Sequence, residues 1–183
     1  MSRLTERALI EAFFKLLKKM PLKKIKVSDI TAECGVNRMT FYYHFENINN
    51  LIEKAFEARF IGSSEEEISA SNWRESYLEL HRAVYDSREL VRKVYPEFDV
   101  RELISFLKPI AHRYVMAATD GRLSCLEPAE RERICAFFQS AIVGEFLLWL
   151  EGNLTESPEQ RVNEATDMLE RCLGAAIDAC DKK

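Results

Sequence analysis

The sequence predicts an all-α protein of about nine helices, and three observations carry that prediction. Apolar residues recur at helical spacing along almost the whole chain: Leu9, Phe13, Leu16 and Met20 near the start, Trp73, Tyr77, Leu80 and Val84 further on, Val162, Ala165, Leu169, Leu173 and Ala176 near the end. Glycine and proline number only 6 and 5 in 183 residues, so turn signals fall far apart, which suits helices rather than short strands. A hydrophobic content of 47% is enough for one or two small cores.

The elements follow from their punctuation. A first helix opens near Thr5 and stops at Pro21, because the residue before proline avoids the helical region. PLKKIK is a connector whose lysines could approach a phosphate backbone. Val27 to Cys34 forms a second helix, and Gly35 follows where the chain must turn through positive φ. Asn37 caps a third helix, Arg38 to His44, and Asn47 caps a fourth. The fourth buries Ile48, Leu51, Ile52, Ala55, Phe56 and Phe60 and reaches toward Gly62, where composition turns polar. The expected core of the first three helices is Leu9, Phe13, Ile25, Val27, Ile30, Cys34, Val36, Phe41 and Phe45, with Ala32 at a close helix approach. Beyond Ser71 come a helix through Val84, a short helix SRELVRKVY ending at Pro96, and a long helix from Val100 to about Asp120. Pro109 is expected to kink or break that long helix. Pro128 opens a helix to about Leu150, and Ser157 with Pro158 opens the last, to about Ala179.

Two short helices joined by a tight glycine turn suit a helix-turn-helix, provided the second presents an outward donor face. Consecutive ring residues on one helix cannot all face inward. Phe41 and Phe45 therefore read as core, and Arg38, Thr40, Tyr42, Tyr43 and His44 as the donor-rich side. Arg38, Met39, Thr40 and Tyr43 would lie nearest the floor of a major groove, where Arg38 suits guanine O6 and N7. Lys26 and the amide end capped by Asn47 suit phosphate.

Net charge is −4, yet residues 1–50 hold nine basic and five acidic side chains, a local +4 that leaves −8 for the remainder. A basic head on an acidic body suits a protein whose head alone meets nucleic acid. The five cysteines (Cys34, Cys125, Cys135, Cys172 and Cys180) form no Cys-x-x-Cys pair, and His44, His81 and His112 are scattered. No metal site and no cofactor site is expected from them. No Ser–His–Asp arrangement and no phosphate loop occurs, so no catalytic residue is assigned and no enzyme is expected. The start, MSRLTERAL, has no signal-peptide pattern. The longest uncharged run, Ile134 to Gly144, is shorter than the roughly 20 residues that span a bilayer. The expectation is a cytoplasmic protein without a membrane partner.

The stretch ITAECGVNRMTFYYHFENINNLI resembles the signature of the TetR family of transcriptional regulators, and the likeness runs from about Leu4 to Phe60. The resemblance implies a helix-turn-helix DNA-binding domain over residues 1–50 and a helical effector-binding and dimerisation domain over residues 51–183. It places Tyr42 and His44 at phosphate-bonding positions. Ile48 stands where relatives often carry a lysine. It also implies a small-molecule effector in the C-terminal helices, for which the candidate lining residues are Tyr77, His81, Phe106, Tyr114, Phe137 and Trp149. The helix after Pro128 is apolar nearly all round, and small residues there allow close approach. A homodimer is therefore expected through Phe138, Ala141, Gly144, Trp149, Leu169, Leu173 and Ala176, in a four-helix interface about a two-fold axis. Such a dimer would bind double-stranded DNA at an inverted-repeat operator, most simply as a repressor, with the effector changing the spacing of the recognition helices. Two other readings stay open: an activator of the same family, and a small helical enzyme or adaptor that carries a helix-turn-helix.

Overall fold

The computed structural model describes residues 2–61, 68–119 and 121–180. Among these it holds nine α-helices and no strand: α1 (Ser2–Lys19), α2 (Val27–Cys34), α3 (Arg38–His44), α4 (Ile48–Phe56), α5 (Trp73–Asp86), α6 (Arg88–Val94), α7 (Val100–Ala118), α8 (Pro128–Glu151) and α9 (Pro158–Cys180). Short 3-10 turns at Leu22–Lys24, Tyr95–Glu97 and Arg122–Cys125 link them, and α4 runs on into a π-helical turn, Glu57–Ile61. The ends expected near Gly62 and Asp120 lie outside the described residues.

The chain divides into two compact units. The first is Met1–Ser63 together with Lys93–Glu97, and the second is Ser64–Arg92 together with Phe98–Lys183. The first therefore extends past residue 50 through α4 and takes back a segment from beyond α5.

In the first unit, local chemistry sets the boundaries. Gly35 closes α2 at φ +73°, and the amide of Val36 reaches back to the Thr31 carbonyl at 3.0 Å, which satisfies the last carbonyls of the helix. Asn37 Oδ1 accepts from the Thr40 amide at 2.8 Å, and Asn47 Oδ1 from the Asn50 amide at 2.9 Å. Leu9, Phe13, Leu17, Ile25, Ile30, Phe41, Phe45, Leu51 and Ala55 are buried together. Phe13, Phe14 and Phe56 meet edge-on or tilted at 5.5–6.4 Å. Val27, Cys34 and Val36 are half-buried rather than central. Ala32 does not sit at a helix approach: it is exposed, and its neighbour Thr31 is buried instead, its hydroxyl donating to the Ser28 carbonyl at 3.1 Å.

In the second unit α5 packs on α9, and α8 packs on both α7 and α9. Asp99 caps α7, accepting from the amides of Arg101 and Glu102. Pro109 does not break α7, which continues through it to Ala118. Val162, Thr166, Leu169, Leu173 and Ile177 form the buried stripe of α9. Arg74 pairs with Asp167 and Glu170, and Arg82 with Glu159, across exposed edges where such pairs add little stability. By length and composition α8 alone, among the described residues, would suffice to cross a bilayer, a test that core helices of soluble proteins also pass. Its 24 residues tolerate the few flanking charges that bound the uncharged run at Ile134 and Gly144.

Because Phe41 is wholly buried in a small core, Phe41→Ala is expected to destabilise the first unit by about 3–5 kcal/mol, read as an early thermal transition by circular dichroism.

Candidate nucleic-acid interface and effector core

The recognition candidate is α3. Its seven residues start at a fixed point, because Asn37 holds both the amide and the hydroxyl of Thr40, at 2.8 and 3.0 Å. Phe41 and Phe45, one turn apart, are 0% and 1% exposed and meet at a tilt, their ring centroids 5.5 Å apart. Helical geometry then turns their neighbours outward: Met39 is 78%, Tyr42 55% and Tyr43 79% exposed. Arg38 is exposed as well, and His44 is half-buried beside the Tyr43 ring. The outward set thus contains a guanidinium, two phenols and one apolar tip, which together can meet phosphate, base edges and a thymine methyl. Thr40 differs from the rest, because its hydroxyl already serves the cap.

Lys26 precedes α2, exposed, its amide donating to the Asp29 carboxylate at 2.9 Å. Lys23 and Lys24 are exposed in the neighbouring 3-10 turn. Asn47 holds the amide end of α4, where Ile48 gives no charge. Nothing in the sequence pointed to Lys93 and Glu97, which belong to this unit from far down the chain.

In the second unit, four of the six candidate lining residues come together. Tyr77 and His81 on α5, Tyr114 on α7 and Trp149 on α8 are all buried. Their ring centroids lie 4.3 Å (Tyr77–His81), 5.0 Å (Tyr77–Tyr114) and 5.0 Å (His81–Trp149) apart. Phe146, half-buried, joins them at 5.4 Å from His81. Phe106 is half-buried elsewhere on α7, and Phe137 is 70% exposed, on the outer side of α8. The polar tips are tied back: Tyr114 Oη donates to the Ser76 carbonyl and Trp149 Nε1 to the Glu156 carbonyl, each at 3.2 Å. Arg161 braces this end through Glu145 and Glu156, at 2.8 and 2.9 Å.

His81 Nδ1 lies 2.8 Å from the Tyr77 carbonyl, which can only accept, so the proton sits on Nδ1 and Nε2 keeps a lone pair. The His81 pKa is lowered to about 4, chiefly by burial and in smaller part by the Arg161 charge, with the bond to the Tyr77 carbonyl opposing both. Burial likewise raises the Tyr77 hydroxyl well above its usual value and Tyr114 to about 12. It also raises the thiols of Cys34 and Cys135, which makes both poor nucleophiles.

The expected dimer residues divide. Phe138, Trp149, Leu169 and Leu173 are buried inside their own unit, Ala141 is exposed, and Gly144 and Ala176 are half-buried. The sequence could not separate them, because a helix apolar on every side does not reveal which side faces its own core.

A capped seven-residue helix that turns Phe41, with Phe45 just past its end, inward and two phenols outward, behind a short helix and a glycine turn, has the architecture of a helix-turn-helix. Comparison with known proteins narrows the class. Residues 9–55 match the family described as bacterial regulatory proteins of the tetR family, and residues 71–171 match a transcriptional regulator C-terminal region. The chain belongs to the TetR family of transcription regulators, a family that acts on DNA. Among solved structures it is similar to the dihydroxyacetone kinase operon activator DhaS, with a TM-score of 0.66, 20% identity, and coverage of 93% of this chain and 97% of that one. At that identity the likeness shows the fold. No curated protein matches the chain.

A pH dependence follows from His81. Its folded pKa lies below the ordinary 6.5, so the unfolded chain binds more protons between about pH 6.5 and 4. The stability held above pH 6.5 is lost as pH falls through that window, by up to about 3 kcal/mol. Glu159 and Glu170, whose pKa values their arginine partners lower, give way only below about 4.5. Denaturant unfolding of the second unit is therefore expected to weaken from pH 6.5 to 4.5, and His81→Phe to flatten that slope.

Proposed function

We propose that this chain is a ligand-responsive repressor that binds an inverted-repeat operator as a homodimer in the cytoplasm. The observation that carries the reading is the outward face of α3, with Met39, Tyr42 and Tyr43 exposed around Arg38. On this reading Arg38 reads guanine, Met39 and Tyr43 lie against the groove floor, and Tyr42 and His44 hold phosphate. Lys26 and the amide end of α4 at Asn47 add backbone contacts. One helix of this size covers half a site, so the second half comes from a second copy.

Two apolar stripes support that second copy. On α8, Phe137, Ala141, Gly144 and Leu148 recur at helical spacing on the outer side, with Phe137 and Leu148 70% and 58% exposed. On α9, Met168, Cys172, Ala175 and Ala179 do the same, with Met168 63% exposed. A Cβ added at Gly144 would meet nothing within 4 Å in its own chain. A mid-helix glycine costs about 1 kcal/mol relative to alanine, so its absent side chain has no use within the chain and serves a helix from outside. Of the dimer residues expected from sequence, Ala141, Gly144 and Ala176 fit this face, while Phe138, Trp149, Leu169 and Leu173 support it from beneath. The effector is an apolar or aromatic molecule held against Tyr77, His81 and Trp149, with the lone pair of His81 Nε2 accepting from a donor on it. Activation is the second reading, favoured by the name of the structural neighbour DhaS.

Selection from random DNA is expected to return an inverted repeat whose binding falls steeply with salt. On that site Tyr42→Ala weakens all sequences alike. Arg38→Ala instead relaxes base preference at one position per half-site, by about 1–3 kcal/mol of discrimination. Gly144→Leu is expected to yield a folded monomer by light scattering, and a Gly144→Leu dimer of wild-type affinity would exclude this interface. A reporter gene behind the operator separates repression from activation by the sign of its response.

A further inference from the structure

The 3-10 turn Leu22–Lys24 begins without a local cap, because Pro21 before it offers no side-chain acceptor. Its free amides are taken by Glu97, 75 and 74 residues further along the chain: Oε1 accepts from the Leu22 amide at 3.2 Å and Oε2 from the Lys23 amide at 3.1 Å. Lys93, one helical turn before Glu97, donates through Nζ to the Leu17 and Lys18 carbonyls at 2.9 and 3.5 Å, at the end of α1. Val94 between them is buried. The junction from α1 to the 3-10 turn is thus held from both sides, with a cation on the carbonyl end and a carboxylate on the amide end, as helix termini favour. Charge-assisted bonds of this kind are among the stronger ones in proteins.

That junction carries the exposed lysines Lys18, Lys19, Lys23, Lys24 and Lys26. By charge alone, a carboxylate set among five lysines weakens their attraction for phosphate. We propose that Glu97 and Lys93 are positioning residues for DNA binding. They fix the backbone of the lysine connector so that its ammonium groups meet the duplex backbone in register with α3. The proposal rests on the reading of this unit as the DNA-binding head. Arg92, the residue just before Lys93, ends the first segment of the other unit, where Nε and Nη2 donate to the Asn153 carbonyl at 2.9 and 2.6 Å. The positioning segment therefore begins where the chain passes from one unit to the other.

The sign of one substitution separates positioning from charge. The full chain is titrated on its selected operator and on a scrambled duplex, by fluorescence anisotropy at several salt concentrations, with melting followed in parallel. Glu97→Ala is expected to weaken operator binding about tenfold, the loss of bonds to a charged group, and to flatten the salt slope by about one phosphate contact. Glu97→Gln keeps an acceptor without the charge and is expected within about threefold of wild type. If Glu97→Ala binds the operator as well as wild type or tighter, the carboxylate acts through charge and the proposal is overturned. If Glu97→Ala does not fold, Glu97→Asp decides, because it keeps the charge and shortens the reach by one methylene: weaker binding with a flatter salt slope supports positioning, and unchanged affinity and slope overturn it. A wild-type chain that binds no duplex overturns the reading of the head itself, an outcome distinct from these.

Discussion

A helix of seven residues that carries rings at four consecutive positions cannot hide them all, and the head is built around that constraint. Phe41 and, just past the helix end, Phe45 go inward and are buried, as are Phe13, Ile30 and Leu51 of the same unit. Tyr42 and Tyr43 are left outside by geometry alone. The start of the helix is fixed with equal economy. Gly35 permits the left-handed turn, and Asn37 holds the amide and hydroxyl of Thr40, so the start of α3 is fixed by local chemistry. An interface that reads base edges needs that rigidity, because a side chain displaced by an ångström no longer meets its partner.

The second unit satisfies a different constraint. Its helices are apolar on more sides than their own unit covers, with Phe137, Leu148 and Met168 left exposed. The inner sides close around Tyr77, His81, Tyr114 and Trp149, where every polar tip with a described bond turns to a backbone carbonyl. Such a core is held by directional bonds as well as by area, which makes its packing specific. The α8–α9 turn beside it is strained, with Asn153 and Leu154 both at positive φ and Leu154 buried. Asparagine tolerates that region, whereas leucine is held there by burial of its side chain and by its amide bond to the Trp149 carbonyl at 3.0 Å.

Local punctuation made the helices legible. Pro21, Gly35, Asn37, Asn47, Pro128 and Pro158 each mark an end by chemistry confined to a few residues, and each stands at or beside a helix end in the structure. The donor face of α3 was legible for the same reason, since one helix turn decides it. Phase around a helix was harder to read. Thr31 rather than Ala32 faces inward, although alanine is the smaller and more apolar residue. Phe138 faces inward and Phe137 outward, although the two are chemically identical. No periodicity separates them, because the outer side of α8 is apolar too. Glu97 was invisible for a third reason: a bond across 75 residues leaves no pattern in either segment.

That bond has a consequence for exchanging parts between regulators. The reading head looks like a contiguous module that ends with α4, and a graft of that stretch onto another body would carry α3 intact. It would leave behind Lys93–Glu97, and with it the only carboxylate on the amides after Pro21 among the described bonds. On the reading proposed above, such a hybrid keeps its sequence preference yet grips the duplex backbone less firmly. On that reading, carrying over the full affinity as well as the sequence preference means moving two separate pieces of chain.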